Sequence, residues 1–287
     1  MSKSYLSNND PEPISVINKD STLIFSGSHN GIAVPSCLPQ CLGTDPDWFY
    51  NAHEATDLHM NKLFAALKDL IADASYIEGN YSRLVCDLNA MPDYSIPQCS
   101  SEHKEIKITA NLPDNCCNKQ RILRLNNIYH PYHDTKKKMI ERIRQINGQV
   151  INLDMHSFSP TWKKQPREAE IGTIRCEKTP LSRALEEYLK TQTEYCFISG
   201  QPYRVAERPS NSASLITQTN DLQYIGIEIR NDLISSPEGI EKMVNFINKC
   251  VDHLYNHPDF EKISAPRSLA FSSEIITSPD IGEAWSI

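Results

Sequence analysis

The sequence predicts a single α/β domain with a mixed, mostly parallel sheet and helices on both faces. Apolar runs typical of buried strands alternate along the chain with amphipathic segments typical of helices. This alternation favours strand–helix–strand units, whose helices cover both sides of a sheet. Several runs end in small polar residues, and ligands of open α/β sheets bind beyond the carboxyl ends of the strands. We therefore expect the functional site at those strand ends.

The composition is that of an ordinary globular protein. The 287 residues are 39% hydrophobic and 23% charged. The formal net charge of -7 argues against nonspecific binding to nucleic acid or anionic membranes. No apolar run approaches the roughly 20 residues that span a bilayer, and the first residues lack a signal peptide's order, so we expect a cytoplasmic protein. The nine cysteines lack CxxC spacing and are predicted to be reduced thiols.

Both ends of the chain are predicted to lie outside the folded core. Residues 1–13 have few apolar side chains and contain two prolines, which is typical of a flexible arm. The α/β domain is expected over residues 14–258. Residues 259–287 are expected to form a polar tail packed on its surface.

The first predicted strand and helix carry candidate metal ligands. Ser21–Phe25 is a β-prone run that leads into a turn-forming cluster with His29. Apolar residues then recur at three- and four-residue steps over Asp47–Ala74, which predicts a helix. His53 and Asp57, four residues apart, would share one face of that helix.

Two short strands and a long irregular segment are predicted next. The strands fall at 76–77 and 84–86, with Arg83 before the second and Asp87 after it. An arginine and an acidic cluster in these places suit either anion recognition or a salt-bridged turn. Residues 94–127 lack clear periodicity and are predicted to be a surface excursion or lid.

The central strand follows a helix with a basic side. The helix is predicted over Asp134–Ile146, with the lysines 136–138 on its solvated side. Gly148 ends it as a left-handed cap. The apolar run that starts at Val150 then breaks off at His156 among small polar residues, which is typical of a buried strand that ends in a functional loop.

The second half of the chain repeats the alternation. The predicted elements are a strand at 170–174, a helix at 180–192, a strand at 224–230 and a helix at 237–254. Residues 199–220 are rich in Gln, Asn, Ser and Pro and include Arg204 and Arg208, so they are predicted to form a substrate loop.

These strand ends suit a catalytic zinc site. Such a site needs about three protein ligands and one open position, and the ion lowers the pKa of bound water toward about 7. His29 and His156 each follow a strand and supply two ligands. Asp57, Glu54 and Asp87 are all placed to supply the third.

Glu228 is the candidate proton carrier. It lies inside an apolar strand, where an unpaired carboxylate is costly. It is therefore expected either to be functional or to form an ion pair with Arg230, which shares its face of the strand.

Seven motifs occur in order: Ser28-His29-Asn-Gly31, Thr56-Asp57-Leu-His59, Ser82-Arg83 with Asp87-Leu-Asn89, Pro131-Tyr132-His133, Asp154-Met-His156-Ser157, Ile171-Gly172-Thr173 and Ile227-Glu228-Ile229. Together they resemble the N-formylglutamate amidohydrolase family. More distantly, His156-Ser-Phe-Ser and Glu228-Ile-Arg resemble the second zinc-histidine segment and the catalytic-glutamate segment of the zinc carboxypeptidases. The resemblance implies a phosphorylase/hydrolase-like fold of the zinc carboxypeptidase type and one Zn²⁺ per chain.

The resemblance also implies roles for individual residues. His29 and His156 would be zinc ligands. Ile32 stands where the carboxypeptidases have a glutamate ligand, so the third ligand must come from elsewhere, and Asp57 is the choice because its Thr-Asp-x-His stretch resembles the amidohydrolases. Glu228 would be the general base. The residues expected to line the substrate side are Arg83, which would stabilise an oxyanion, Asn89 and His133.

One departure from the family pattern concerns the substrate. The family's Asp-Leu-Asn-Arg is here Asp87-Leu-Asn-Ala90, so the expected partner of a substrate carboxylate is missing. Arg204 or Arg208 could substitute from the later loop. We expect a zinc-dependent hydrolase of a linear amide on a small N-acyl amino acid, with no nucleic-acid or membrane partner. The alternatives are a metal-dependent peptide or cell-wall amide hydrolase, and a degenerate member that only binds a small molecule or partner.

Overall fold

The strands form one mixed sheet and one small hairpin. The computed structural model describes residues 5–175, 179–203 and 223–264. Its strands are β1 (Ile14–Ile17), β2 (Leu23–Gly27), β3 (Ser75–Gly79), β4 (Ile151–Phe158), β5 (Thr161–Trp162), β6 (Gln165–Pro166), β7 (Ile171–Ile174), β8 (Phe197–Ser199) and β9 (Gln223–Arg230). Within the described residues, seven strands form a sheet in the order β1-β3-β2-β4-β9-β7-β8, and β5 pairs with β6.

Helices cover both faces of this sheet. They are α1 (Pro46–Asn51), α2 (Met60–Leu70), α3 (Asn118–Arg124), α4 (His130–Asn147), α5 (Pro180–Thr191), α6 (Pro237–Tyr255) and α7 (Phe260–Ser264). Helices α2, α5 and α6 pack on one face, whereas α4 packs on the other. None of the described helices is long and apolar enough to cross a membrane. The predicted α/β class and mostly parallel sheet are confirmed.

The strand pairing brings three carboxyl ends together. Strand β2 runs parallel to β3 and β4, and β4 runs parallel to β9. Every residue of β4 is buried, as is all of β9 except Arg230, which is typical of parallel strands covered on both faces. Because β2, β4 and β9 are neighbours with the same direction, the residues that end them lie along one edge of the sheet.

Two apolar clusters hold the layers together. On one face, Phe25 and Leu153, which are register partners, pack against α2 and α6. On the other face, Ile24 and Ile77 pack against Ile140 of α4. Alternate residues of each strand therefore serve opposite clusters, as the pleat requires.

The helix predicted over Asp47–Ala74 is in fact two helices. Helix α1 begins with Asp45 as its cap, whose Oδ1 accepts from the Trp48 N–H at 2.8 Å, and it ends at Asn51. Residues 52–59 form a turn, and His59 has a left-handed φ of 68° before α2 begins. The prediction was wrong because tertiary contacts of this turn override the helical pattern.

The residues predicted as a strand at 84–86 instead form a buried turn. The Val85 N–H donates to the Ser82 carbonyl at 2.9 Å, and the apolar side chains enter the cluster beside α4. The segment 94–127, predicted to be an excursion or lid, is anchored by the fully buried Arg124. This guanidinium donates to the Val85 carbonyl at 3.1 Å and to Asn111 Oδ1 at 2.6 Å.

The described part of the predicted N-terminal arm contacts the domain. Tyr5 is 8% exposed and belongs to the cluster beside α4. Asp10 Oδ1 accepts from the Ser36 N–H at 2.7 Å. Of the predicted C-terminal tail, residues 265–287 lie outside the described residues.

Candidate active site

Three strand ends carry the central residues of the site. His29 lies two residues beyond β2. His156 lies near the carboxyl end of β4, and Glu228 lies near the carboxyl end of β9. His156 and Glu228 are register partners across the parallel pair. All three residues are buried, with exposed fractions of 1%, 5% and 4%. The parallel register thus places two histidines and a glutamate along one edge, as the sequence predicts.

The turn at 52–59 brings Asp57 to this edge. The Asp57 N–H donates to the His29 carbonyl at 2.9 Å, and Thr56 Oγ1 donates to the same carbonyl at 2.8 Å. From β4, Ser157 Oγ donates to the Leu58 carbonyl at 2.9 Å. These bonds attach the turn to both strand ends, so the Asp57 carboxylate lies between the two histidines.

His29, Asp57 and His156 form a cluster that fits a metal ion. Asp57 Oδ2 is 2.9 Å from His156 Nδ1, and Asp57 Oδ1 is 3.7 Å from His29 Nδ1. One ligand atom from each residue lies within 4.8 Å of the others. Asp57 Oδ1 is buried and accepts no hydrogen bond from the described residues. Two imidazole nitrogens and a carboxylate are a donor set that zinc uses in catalytic sites.

Each histidine of this cluster has a second carboxylate behind it. His29 Nε2 is 2.7 Å from Asp87 Oδ1, and His156 Nε2 is 3.3 Å from Asp154 Oδ2. A carboxylate that accepts from one ring N–H fixes the tautomer and leaves the other nitrogen free as a ligand. Of the three carboxylates that the sequence offers as third ligand, Asp87 therefore supports His29, and Glu54 instead accepts from Ser101 N–H at 2.7 Å.

Asp154 belongs to a buried polar network below the cluster. Its carboxylate accepts from Ser26 Oγ and, at 2.8 Å, from Tyr224 OH. Lys136 Nζ donates to Ser26 Oγ at 3.0 Å and lies 3.8 Å from Asp154 Oδ1. Burial raises the pKa of Asp154, but the charges of Lys136 and His156 lower it by more than burial raises it. The pKa of Asp154 therefore lies below its usual range. Asp154 is therefore held as a carboxylate.

Lys136 corrects a prediction. The sequence predicts a solvated face for the lysines 136–138, yet Lys136 is 2% exposed. It lies on the buried stripe of α4 with Tyr132 and Ile140, four residues away on either side. That spacing is the signal that could have identified it, because a lysine within an apolar helical stripe must be buried and paired.

Glu228 has no partner in the described residues for one of its oxygens. Its Oε2 is buried and accepts no hydrogen bond. Arg230 does not pair with it; that guanidinium binds Asp232 Oδ1 at 2.8 Å and Glu170 Oε1 at 3.2 Å. Burial raises the pKa of Glu228 to about 8, although His156 acts against the rise. The predicted ion pair between Glu228 and Arg230 is therefore wrong.

Arg83 lies directly beside the metal cluster. Its Nη1 is 3.3 Å from Asp57 Oδ1, and its Nη2 contacts His29 Nδ1. The guanidinium thus lies where it can bind a negatively charged oxygen next to the cluster. A metal ion and Arg83 would compete for His29 Nδ1, so Arg83 must turn away from that nitrogen when a metal is bound.

These residues open onto a cavity of about 340 Å³. Asp57, His156, Glu228, Arg83 and Asn89 all line it. The remaining lining includes both apolar and polar side chains, namely His53, Glu54, Leu84, Asp87, Pro97, Cys99, Ser101, Ser157, Trp162, Ile174 and Tyr203. The cavity is large enough for a small amino-acid derivative.

The other predicted substrate residues are placed differently. His133 is not among the lining residues; its Nε2 contacts the Leu88 carbonyl at 3.0 Å, and its ring packs 4.2 Å from that of Tyr129. Burial and Lys136 lower the pKa of His133 to about 4, so it is neutral at pH 7 and donates to that carbonyl. Arg204 and Arg208 lie outside the described residues.

One neighbour of the site lies on a different element from the one predicted, and sequence reasoning missed another. His53 Nε2 is 3.8 Å from Asp57 Oδ1, although the two residues lie on a turn and not on a helix face. Burial lowers the pKa of His53 to about 4. Arg167 packs against Trp162 and Tyr203, both of which line the cavity. No motif marks Arg167 in the sequence, because its position depends on the hairpin β5–β6.

Comparison with known structures supports the fold. A gene product of Agrobacterium tumefaciens has a TM-score of 0.77 and 23% identity, covering 88% of this chain and 98% of that one. An N-formylglutamate amidohydrolase of Ralstonia eutropha JMP134 has a TM-score of 0.61 and 18% identity, covering 85% of this chain and 98% of that one. At these identities the likeness establishes the fold alone. Comparison with curated proteins found no match.

The family follows from a match of the sequence to a family model. The model of the N-formylglutamate amidohydrolase family matches residues 21–235, which include both histidines, Asp57 and Glu228. The match covers most of the chain and includes the residues that the fold brings to one edge of the sheet. The chain therefore belongs to the N-formylglutamate amidohydrolase family, a family of hydrolases.

Proposed function

We propose that the chain is a zinc-dependent hydrolase of the amide bond in an N-acyl amino acid of the N-formylglutamate type, with one zinc ion per chain. The observation that carries the proposal is the buried His29–Asp57–His156 cluster with an unpartnered Glu228 oxygen at the neighbouring strand end. Structural ion pairing does not account for that glutamate. A catalytic zinc site uses three protein ligands and keeps a position open.

The three cluster residues would hold the metal. His29 and His156 have Nδ1 toward Asp57 and Nε2 toward a second carboxylate, so Nδ1 is the atom of each ring that would bind the metal. The zinc ion, when bound, would polarise the amide carbonyl and lower the pKa of a water molecule to about 7.

Glu228 would carry the proton. As a carboxylate it takes a proton from the attacking water, and as an acid it gives that proton to the leaving nitrogen. Its buried position supports both states, because burial raises its pKa to about 8 and brings it near neutral pH. Its unpartnered Oε2 is free to make this transfer.

Arg83 would stabilise the charge on the substrate oxygen. Its guanidinium lies beside Asp57 and lines the cavity. Donors placed at a developing oxyanion lower the barrier of acyl transfer. Asn89 also lines the cavity and would orient the substrate, while His133 would hold the backbone of Leu88 next to it.

Hydrolysis assays with controlled metal content test the proposal. The protein would be stripped with a chelator, reloaded with zinc, and offered N-formyl-L-glutamate, other N-acyl amino acids and short peptides. We expect turnover of an N-acyl amino acid that disappears on stripping and returns with zinc. Undiminished turnover after complete zinc removal would refute the metal dependence. Cleavage of peptides alone would redirect the assignment to a peptide amide hydrolase.

A further inference from the structure

Arg167 lies among three aromatic rings at the border of the cavity. Its guanidinium carbon is 5.4 Å from the ring centre of Phe158, 5.3 Å from Trp162 and 5.0 Å from Tyr203. Trp162 and Tyr203 also line the cavity. The rings hold the guanidinium plane and exclude water from its faces, which strengthens hydrogen bonds at its edge.

The guanidinium has donors to spare. Its Nη1 donates to the Ser159 carbonyl at 3.2 Å. Across residues 5–175, 179–203 and 223–262, no carboxylate lies within ion-pair distance of Arg167. Arg167 is half-buried, and a charge in such a place normally has a partner.

The charge of Arg167 also acts on the reacting end of the site. Burial raises the pKa of Glu228, and the charge of Arg167 is among those that act against the rise. The same charge adds to the effect of burial in lowering the pKa of His53. Both of these residues line the cavity. A ligand that reaches Glu228 therefore lies within the field of the Arg167 guanidinium.

Arg83, the arginine that lines the cavity in the described residues, is already engaged. Arg83 binds Asp57 and His29, and Ala90 stands where the family pattern has an arginine. We propose that Arg167, framed by Phe158, Trp162 and Tyr203, binds the carboxylate of the substrate while the substrate's amide lies at the His29–Asp57–His156 cluster. A planar guanidinium can bind a carboxylate through two parallel hydrogen bonds. This inference rests on the proposed hydrolase function and names its specificity residue.

Substrate pairs that differ in one charge test the inference. The substrates are N-formyl-L-glutamate, N-formyl-L-glutamine and N-formyl-L-isoglutamine, each measured with zinc-loaded wild type and Arg167→Gln. N-formyl-L-glutamine lacks the side-chain carboxylate, and N-formyl-L-isoglutamine lacks the α-carboxylate. For N-formyl-L-glutamate, we expect Arg167→Gln to raise KM about 10- to 100-fold, the scale of a charge-assisted hydrogen bond. For the carboxamide that lacks the carboxylate bound by Arg167, KM should change less than about threefold, so the enzyme loses its preference for that carboxylate. The kcat should change little, because Arg167 does not touch the reacting amide.

Two further variants control for charge and folding. Lys164→Gln removes a positive charge from the exposed turn between β5 and β6, and it should leave both KM values unchanged. Arg167→Lys keeps the charge and its contact with the rings but loses the paired donors, and it should raise KM for the carboxylate substrate by an intermediate factor. If Arg167→Gln does not fold, Arg167→Lys provides the test.

Calorimetric binding of N-formyl-L-glutamate separates the two proposals. Turnover with an unchanged carboxylate preference in both Arg167 variants overturns this inference and leaves the hydrolase proposal standing. Binding that depends on Arg167, without turnover by wild type, supports the carboxylate site and overturns the hydrolase proposal. Neither binding nor turnover by the zinc-loaded wild type overturns both.

Discussion

Replacing Lys136 by methionine should cost both stability and metal affinity. Lys136 Nζ lies 3.8 Å from Asp154 Oδ1, and each side chain is 3% exposed. At an effective dielectric constant of about 20, two charges at that separation attract by about 4 kcal/mol. Removing one member of a buried ion pair typically costs about 3–5 kcal/mol. Ser26, Tyr224 and His156 would still contact Asp154, so we expect the lower value of about 3 kcal/mol.

The loss is measured by urea unfolding and by competition with a chromophoric chelator. A loss of about 3 kcal/mol corresponds to a fall in Tm of roughly 6–12 °C for a domain of this size. Zinc affinity should fall about tenfold or more, because Asp154 then holds His156 less firmly.

Two variants separate the positioning of His156 from general stability. Lys137→Met should stay within about 0.5 kcal/mol of wild type, since Lys137 is 61% exposed and its ion-pair partner in the described part of the chain is Glu141, at 3.9 Å. Lys136→Met/Asp154→Asn leaves no unpaired charge and should recover part of the stability, yet its zinc affinity should stay low. Wild-type stability and zinc affinity in Lys136→Met would refute this reasoning.

The remaining predictions concern two residues that line the cavity. Glu228→Gln should keep zinc but lower kcat by about 10²-fold or more, and unchanged activity would remove Glu228 from the reaction. In the metal-free protein, burial raises the pKa of Glu228 from 4.5 to about 8. The neutral side chain therefore contributes stability that is fully present below pH 4.5 and is lost as the pH rises through 8. Glutamine stays neutral, so the free energy of unfolding of Glu228→Gln should exceed that of wild type by about 3 kcal/mol at pH 7 and by almost nothing at pH 4. Urea titrations at the two pH values measure this difference, and an equal difference at both would contradict the burial argument. Arg83→Lys should lower kcat by about 10²-fold with a smaller change in KM, and an effect confined to KM would contradict its role at the oxyanion.

The sequence was sufficient for those parts of the site that end apolar strands. His29, His156 and Glu228 each follow or occupy a run that is typical of a buried strand and is one in the structure. Parallel strands bring such residues to one edge of the sheet. The α/β class follows from the same alternation of periodicities.

Tertiary contacts decided what the sequence could not. The helical pattern of Asp47–Ala74 is interrupted because the His29 carbonyl accepts from Thr56 and Asp57. That turn is what delivers Asp57 to the cluster. Arg230 shares a strand face with Glu228, yet it binds Glu170 and Asp232 instead. Glu170 is distant in sequence and Asp232 lies in the turn that follows the strand, so the strand's periodicity does not predict either partner.

The zinc content of the purified protein tests the central claim most directly. Protein prepared without added metal would be analysed beside the His29→Ala/His156→Ala double variant, with circular dichroism to verify that both are folded. The account predicts about one zinc ion per chain in wild type and none in the variant. Wild type without zinc even after zinc is offered, or a folded variant that retains stoichiometric zinc, would contradict it.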